Sequence, residues 1–180
     1  MSIRIVLAAT MLAIPGAAWA QTAPAEPAVV NNPNPETLQV YGLPGGATPK
    51  PIKDEKVQFG KAIRVSAPGG GDPWTIGANS PLTEPVKKGD KLMLAFYARL
   101  EKGEGATSGI TGQLQLSSAP YTPLFGKSFD VTPEWKLYSV AGHADRDYAK
   151  GEIAAALHLN VAKHTLDIGA VAVLNYGPKP

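Results

Sequence analysis

Hydrophobic and polar residues alternate most regularly over residues 152–161, which read Glu-Ile-Ala-Ala-Ala-Leu-His-Leu-Asn-Val. Apolar residues occupy every second position from 153 to 161, and this period of two predicts a β-strand with one face on a core. The residues on the other face are Ala154, Ala156, His158 and Asn160. Two small residues followed by two hydrogen-bonding groups differ from an ordinary solvated face. We interpret this face as the floor of a shallow polar groove.

The rest of the chain from residue 38 onward shows short alternating runs separated by Gly, Pro, Asp and Asn, without a convincing helical stretch. Besides the strand described above, the runs are 38–43, 61–67, 74–79, 91–100, 110–116, 127–131, 134–140 and 166–174. Eight or nine strands with turn residues at this spacing predict an all-β fold. We expect a two-sheet antiparallel β-sandwich with jelly-roll topology.

Jelly-roll pairing places alternate strands in opposite sheets, and this predicts which residues share a sheet. One sheet would contain the strands of Ile63, Phe96, Tyr138 and Val171. The other would contain the strands of Trp74, Gln113, Phe129 and His158, with the Gln113 and His158 strands as neighbours. The side chains expected to project together from its outer face are Gln113, Gln115, His158 and Asn160.

The first 36 residues differ in composition from the remainder. Residues 1–20 combine Arg4, an apolar run and an Ala-Trp-Ala site, which is typical of a secretory signal peptide. Residues 21–36 are rich in Pro, Ala and Asn and are predicted to form a disordered arm, either a plain tail or a spacer to a partner. Residues 37–180 would form a single β-sandwich domain. We therefore expect an exported protein, periplasmic or extracellular, with no membrane insertion.

Charge and cysteine content narrow the range of partners. Removing Arg4 from the 17 Lys and Arg leaves 16 basic against 15 acidic residues, a net charge of +1. Such a balance without basic clusters argues against nucleic acid as a partner. The chain contains no cysteine, so its stability depends on the packed core rather than on disulfides.

Three aromatic residues are candidates for either binding or packing. Trp74 follows a Pro turn and could stack on a sugar ring, or it could be a core or rim residue. Tyr121 lies in the loop segment Ala-Pro-Tyr-Thr-Pro and could form an exposed platform. Trp135 begins a strand beside Pro133, and we interpret it as core packing.

His158 and Asn160 would form a polar binding pair or an ordinary solvated face.

The sequence supports a catalytic site or a metal site less well than it supports a binding site. His143, Asp145 and Asp147 follow a strand but lack a fourth ligand, so a solvated loop is the expected interpretation. No Gly-x-Ser-x-Gly motif occurs. A glycosidase needs two carboxylates at a cleft, whereas the predicted groove presents amides and an imidazole. These groups favour recognition over catalysis, and we expect the protein not to be an enzyme.

Several segments together resemble the carbohydrate-binding modules of the CenC-like type. They are Gly60–Val65, Asp72-Pro73-Trp74, Gly89-Asp90 leading to Ala95–Arg99, and Val131–Val140. The resemblance covers about residues 55–177 and implies a galactose-binding-like jelly roll that binds glycans on its concave sheet. Many members also hold a structural calcium ion with an Ile-Asp-Asp-Val segment. The matching place here reads Ile168-Gly169-Ala170-Val171, which lacks the acidic pair.

The leading hypothesis is a stand-alone exported carbohydrate-binding domain that recognises a neutral poly- or oligosaccharide. Stacking would come from Trp74 and Tyr121, and hydrogen bonds would come from Gln113, Gln115, His158 and Asn160. No cofactor is expected, with structural calcium kept as an open alternative. The competing hypothesis is a structural or protein-interaction jelly roll of the cell envelope, whose partner would be another envelope protein.

Overall fold

The protein is described by a computed structural model that covers residues 26–178. The predicted signal peptide and residues 21–25 of the predicted arm lie outside these residues. Eleven strands occur within 26–178, and short 3-10 turns connect some of them. The strands are β1 (Ala28–Val29), β2 (Gln39–Tyr41), β3 (Lys50–Lys53), β4 (Lys61–Ala67), β5 (Gly77–Pro81), β6 (Asp90–Gly103), β7 (Ser108–Leu116), β8 (Pro123–Val131), β9 (Lys136–His143), β10 (Ile153–His158) and β11 (His164–Pro178).

The strands form two antiparallel sheets that pack face to face. The first sheet has the order β3-β4-β11-β6-β9, with β1 also paired to β11. The second sheet has the order β2-β5-β10-β7-β8. This arrangement confirms the all-β sandwich and the predicted division of the main strands between the sheets. In residues 26–178, no helix is long and apolar enough to cross a membrane.

The core lies between the sheets and is filled from the inward positions of both. At its centre, the Phe96 ring meets the edge of Phe129 at a centroid distance of 5.3 Å and stacks on Tyr138 at 5.6 Å. A Cβ atom at Gly112 would lie 2.9 Å from the Phe96 ring. Glycine therefore allows the β7 backbone to approach this cluster, and aromatic packing contributes to the alignment of the sheets.

Two neighbouring strands of the second sheet, β5 and β10, have boundaries that differ from the predicted ones. The run 74–79 begins not as a strand but as a 3-10 turn, Pro73–Thr75, and β5 starts only at Gly77. Proline at the first position of this turn fixes its backbone angle and so favours the turn. The alternating pattern of 152–161 extends beyond β10, which ends at His158.

The disordered arm predicted for 21–36 is wrong for the part that the structure describes. β1 pairs with β11, and Val30 and Asn31 are buried. The Asn31 amide nitrogen donates to Ser80 Oγ and to the Val171 carbonyl, both at 2.8 Å, and its oxygen accepts from the Val173 amide at 2.7 Å. One asparagine therefore ties this segment to both sheets, to β11 in the first and to β5 in the second.

Trp135 does not belong to the core between the sheets, contrary to the prediction. It lies half-buried on the outer side of the first sheet, where its Nε1 donates to Asp54 Oδ2 at 2.8 Å. The Arg99 guanidinium lies 5.0 Å from its ring centroid. The 3-10 turn Gln58–Gly60 and the loop before it contribute Asp54 and the buried Val57 to this side of the sheet. The tryptophan thus packs against a loop rather than against the second sheet.

Candidate ligand-binding groove

Cross-strand register arranges the outer face of the second sheet in three rows. Directly opposed residues on β5, β10 and β7 point to the same side of the sheet. The rows are Gly77, His158 and Thr111; Asn79, Ala156 and Gln113; and Pro81, Ala154 and Gln115. The structure therefore brings Gln113, Gln115 and His158 together on adjacent strands, as the jelly-roll pairing predicts. Ala154 and Ala156 form a low floor between the taller side chains.

A cavity of about 710 Å³ lies over these rows. Its volume falls within the range of about 300–1,000 Å³ that is typical of small-ligand sites. The residues that line it are Tyr41, Pro73, Trp74, Asn79, Thr111, Gln113, Gln115, Pro120, Tyr121 and His158. We call this cavity the groove. None of these lining residues is Asp, Glu, Lys or Arg.

Two of the predicted aromatic residues are exposed on the walls of the groove. The side chain of Trp74 is 56% exposed and that of Tyr121 is 54% exposed, so neither is a core residue. Trp74 sits in the turn before β5, whereas Tyr121 sits in the loop between β7 and β8. Tyr121 has a φ of 56°, which is uncommon for a residue with a side chain. Trp74 and Tyr121 therefore present aromatic rings from loops on the walls of the groove, above the hydrogen-bonding groups of the strands.

Tyr41 on β2 is a third aromatic residue of the groove, and the sequence analysis missed it. A Cβ atom at Gly77 would lie 2.5 Å from the Tyr41 hydroxyl oxygen, so the phenol occupies the space above this glycine. Burial raises the pKa of Tyr41, and the neighbouring Tyr121 adds to this shift. β2 contains three residues, and so short an alternation gives little indication of which side faces a site.

The polar groups of the groove are neutral. His158 is buried, and the burial lowers its pKa, so the imidazole is uncharged near neutral pH. Gln113 Nε2 donates to Gln115 Oε1 at 2.6 Å. Each glutamine keeps hydrogen-bonding capacity beyond this bond, because an amide has two donor hydrogens and two acceptor lone pairs.

Asn160 is not among the residues that line the groove, contrary to the prediction that it projects there beside His158. It follows the end of β10 and is buried. Its Oδ1 accepts from the Gly69 amide at 3.0 Å, and its Nδ2 donates to Thr75 Oγ1 at 2.8 Å. Leu159 is still part of the core, so the alternation of faces continues to this position, but the side chain of Asn160 bonds to loops that cover it. Asn160 helps to hold the turn that carries Trp74.

Thr111 and Asn79 are two further polar residues of the groove that the sequence analysis did not assign to the site. Both are found by register, since Thr111 is opposite His158 and Asn79 is opposite Ala156. The period of two in the predicted run 110–116 puts Thr111 on the same face as Gln113 and Gln115, so the signal for Thr111 was present in the sequence. The face on which Asn79 lies could be assigned only once β5 was known to start at Gly77.

The segment Ile168–Val171 does not fit a calcium site. The adjacent carboxylate, Asp167, is fully buried and is bound by Arg64 Nε at 2.7 Å and Arg99 Nε at 2.8 Å. Its oxygens are thus committed to two guanidinium groups. No group of three or more His, Cys, Asp or Glu within residues 26–178 could hold a metal ion.

Of the three residues considered as a metal set, Asp145 and Asp147 are each bound by neighbouring residues, and His143 is the exposed last residue of β9. Tyr148 donates its hydroxyl to Asp145, which lowers the pKa of that carboxyl, and burial together with this bond raises the pKa of Tyr148 to about 12. Asp147 accepts from the Lys88 amide and from Lys87 Nζ, both at 2.9 Å. These contacts fasten the loop after β9.

Comparisons with known proteins show what the fold resembles. No family model matches the chain, and no curated protein matches it. The structure is similar to a solved CBM4 carbohydrate-binding module, with 19% identity and a TM-score of 0.60 over 78% of this chain and 96% of that one. It is also similar to the second N-terminal cellulose-binding domain of Cellulomonas fimi β-1,4-glucanase C, with 17% identity and a TM-score of 0.58 over 89% of this chain and 99% of that one.

A third similar structure is the CBM22-1 xylan-binding domain of Paenibacillus barcinonensis Xyn10C, with 12% identity and a TM-score of 0.57. The match covers 87% of this chain and 100% of that one. At such identities the likeness establishes the fold. The expected jelly roll of the carbohydrate-binding-module type is therefore confirmed.

Proposed function

We propose that this protein is a non-catalytic, exported carbohydrate-binding domain that recognises a neutral poly- or oligosaccharide in the groove. One observation carries the proposal: three aromatic residues line an uncharged cavity together with amides and a neutral imidazole. The likeness of the fold to carbohydrate-binding modules supports it. We place the protein in the periplasm or outside the cell.

The two parts of the groove match the two sides of a sugar ring. The axial C–H groups of a pyranose form an apolar face, and the rings of Trp74 and Tyr121 offer exposed surfaces for it. The hydroxyls around the ring edge both donate and accept hydrogen bonds, as do Gln113 and Gln115. Fixed charges are unnecessary for such a ligand, and the lining residues have none at neutral pH.

The same lining favours binding over hydrolysis. Most glycosidases use two carboxyl groups about 5–10 Å apart as acid and nucleophile or base. The lining residues include neither Asp nor Glu. His158 is the one titratable imidazole among them, and the lining provides no carboxylate to orient it. The groove is therefore suited to hold a sugar rather than to cleave it.

Titration calorimetry of the purified protein tests the proposal. We expect a dissociation constant on the order of 10 µM to 1 mM for a neutral oligosaccharide, since a shallow groove gives a small net gain per hydrogen bond. A suitable panel contains cello-, xylo- and manno-oligosaccharides, with oligogalacturonate as the charged control. Absence of binding to every neutral member, confirmed on a glycan array, would overturn the proposal.

The outer face of the first sheet favours protein interaction as a second candidate function. Register places Val29, Leu174 and Met93 in one row of this face and Tyr97 beside Leu137 in another. Val29 and Leu137 are exposed, and the others are partly exposed. Ala172 and Ala95 lie in the row between these two, and a largely apolar face of this kind is typical of an interaction surface. An envelope protein would be its partner.

The substitution Leu137→Lys separates the two functions. It should abolish any complex captured by cross-linking to envelope proteins, because a charge on an apolar interface is costly. Glycan binding in the groove should remain unchanged. A complex that survives the substitution would count against this face.

A further inference from the structure

We infer that Asn79 determines which sugars the groove accepts, by hydrogen bonding to a hydroxyl that enters the hollow over Ala156. This inference rests on the proposed function and assigns a specificity role within that site. It concerns a residue that lies on the floor rather than on the aromatic walls.

Register fixes the position of Asn79 relative to the hollow. Asn79 and Gln113 flank Ala156 on either side, on β5 and β7. The Ala156 methyl group leaves space above the sheet, so the lowest point of this row lies between two amides. A substituent on the ligand can reach this point only if it is small. It can bond to the amides there only if it is polar.

Asn79 differs from the other polar groups of the floor in its hydrogen bonding. Its Oδ1 is buried and has no hydrogen-bond partner, and within residues 26–178 it is the one buried side-chain nitrogen or oxygen atom in this condition. Gln113 and Gln115, by contrast, bond to each other. Native proteins pair most of their buried polar atoms, and an exception requires a physical explanation.

A ligand provides that explanation. The oxygen is shielded from solvent in the free protein, so it gains a partner only when the amide turns and brings it into the groove. In that orientation a ligand hydroxyl donates to the oxygen, and the acceptor is no longer unpaired. The terminal torsion of asparagine is broad, so a rotation of the amide can turn this oxygen toward the ligand.

The same unpaired oxygen would make the groove selective between sugars. A sugar with a hydroxyl directed into the hollow satisfies the amide, whereas an epimer or a pentose that lacks this hydroxyl leaves it unpaired. Sites built to bond a hydroxyl discriminate strongly against ligands without it. We therefore expect the contribution of Asn79 to differ between sugars, unlike that of a stacked aromatic ring.

The test compares Asn79→Leu with the wild type in the full protein. Leucine keeps the number and branching of the asparagine side-chain heavy atoms and removes the polar ones, but its two methyl groups are bulkier than the amide. We expect about a 5- to 50-fold loss of affinity for the best ligand of a cello-, xylo- and mannohexaose panel. The weaker ligands should lose no more than about twofold, so that the affinities converge. The midpoint of urea unfolding should stay the same or rise, because an unpaired buried polar atom has been removed.

Three further variants sharpen the result. Asn79→Ala repeats the measurement without the leucine side chain, in case its branched shape obstructs the groove. Asn34→Ala, in the connection between β1 and β2, is the matched control and should change neither the affinities nor their ratios. Gln113→Ala should lower the unfolding midpoint, since it breaks the bond to Gln115.

The outcomes are distinguishable from one another. Equal losses for all three sugars, or no loss in either Asn79 variant, would overturn the specificity role. A lower unfolding midpoint together with lost binding would show that Asn79 is structural, and would also overturn it. If the wild type binds none of the sugars, the proposed function itself fails and this inference fails with it.

Discussion

At the scale of single residues, Trp74 and Trp135 show two different uses of the same side chain. Trp74 is exposed in the groove, and we expect Trp74→Ala to remove about 1–3 kcal/mol of binding free energy. In a complex of about −5 kcal/mol, this loss would abolish measurable binding. The thermal midpoint should change little, because the ring packs against few groups. Calorimetric titration and a thermal melt of the same sample check both parts.

Trp135→Ala should give the opposite result. This residue bonds to Asp54 and packs beside Arg99, so its removal should lower the thermal midpoint by several degrees. Glycan affinity should remain at the wild-type value, because the residue lies on the other sheet. Unfolding by Trp74→Ala, or lost binding in Trp135→Ala, would show that these roles are assigned wrongly.

Tyr121 permits a test in which binding and stability change in opposite directions. Its φ of 56° is strained for a residue with a side chain and suits glycine. Tyr121→Gly should raise the free energy of unfolding by about 0–1 kcal/mol and weaken glycan binding several-fold.

The matched control for this experiment is Phe59→Gly. Phe59 has a φ of 65° and is 54% exposed, but it is not a lining residue of the groove. It should gain similar stability without any change in affinity. Undiminished binding by Tyr121→Gly would remove this residue from the site.

At the scale of strands, the attachment of β1 to the sheet depends on hydrogen bonds of a side chain more than on the length of the strand. It contains two residues, and such a short strand contributes few backbone hydrogen bonds. Asn31 supplies three further bonds to β11 and Ser80. Asn31→Ala should therefore lower the free energy of unfolding by about 2–4 kcal/mol, because partners remain buried and unpaired.

Asn34→Ala is the control for this measurement, and urea unfolding is the method. Asn34 accepts a hydrogen bond from the Glu36 amide at the surface, so its loss should cost no more than about 1 kcal/mol. Equal effects of the two substitutions would show that Asn31 does not anchor the segment.

The long strands were predictable from the sequence because alternation repeats in them often enough to be recognised. The pattern predicts β4 with its observed boundaries, and it finds the greater part of β6. β1 and β3 have two and four residues and contain Pro or Ala, so no period emerges. The burial of Asn31 depends on partners more than a hundred residues away, and local patterns hold no information about such contacts.

Residues of the site could be predicted from the sequence where the topology determines which strands pair. They could not be predicted where loops determine the position of a side chain. Gln113 and His158 were found together because jelly-roll order makes their strands neighbours. Asn160 was misplaced because the loops that carry Gly69 and Thr75 cover it, and no local pattern predicts these contacts. Tyr41 lies on a strand of three residues, so only the structure shows that it covers Gly77.

At the scale of the whole molecule, the two outer faces of the sandwich differ in chemistry. The second sheet has an uncharged groove with aromatic walls. The first sheet combines an apolar area with an Arg–Asp network around Asp167. Because the core between the sheets supports both faces, a substitution on one face should leave the other unchanged.

Two buried histidines couple the stability of the whole molecule to pH. Burial lowers the pKa of His158 and of His164, although a bond from His164 to the Leu159 carbonyl opposes part of the second shift. In the unfolded chain, both imidazoles regain a pKa of about 6.5. Below this pH the unfolded state binds protons that the folded state does not, so the free energy of unfolding falls as the pH falls.

We therefore expect the protein to be less stable at about pH 5.5 than at about pH 7.5, with a slope of at most about 1.4 kcal/mol per pH unit for each histidine. The lowered carboxyl pKa values of Asp54 and Asp147 add a loss in the same direction, but only at lower pH, near and below the ordinary range of about 4. Urea unfolding at the two pH values measures the histidine part separately. His158→Gln should reduce the difference in stability between the two pH values. Equal stability of the wild type at both pH values would show that neither buried imidazole resists protonation, and would contradict a neutral His158 in the groove at mildly acidic pH.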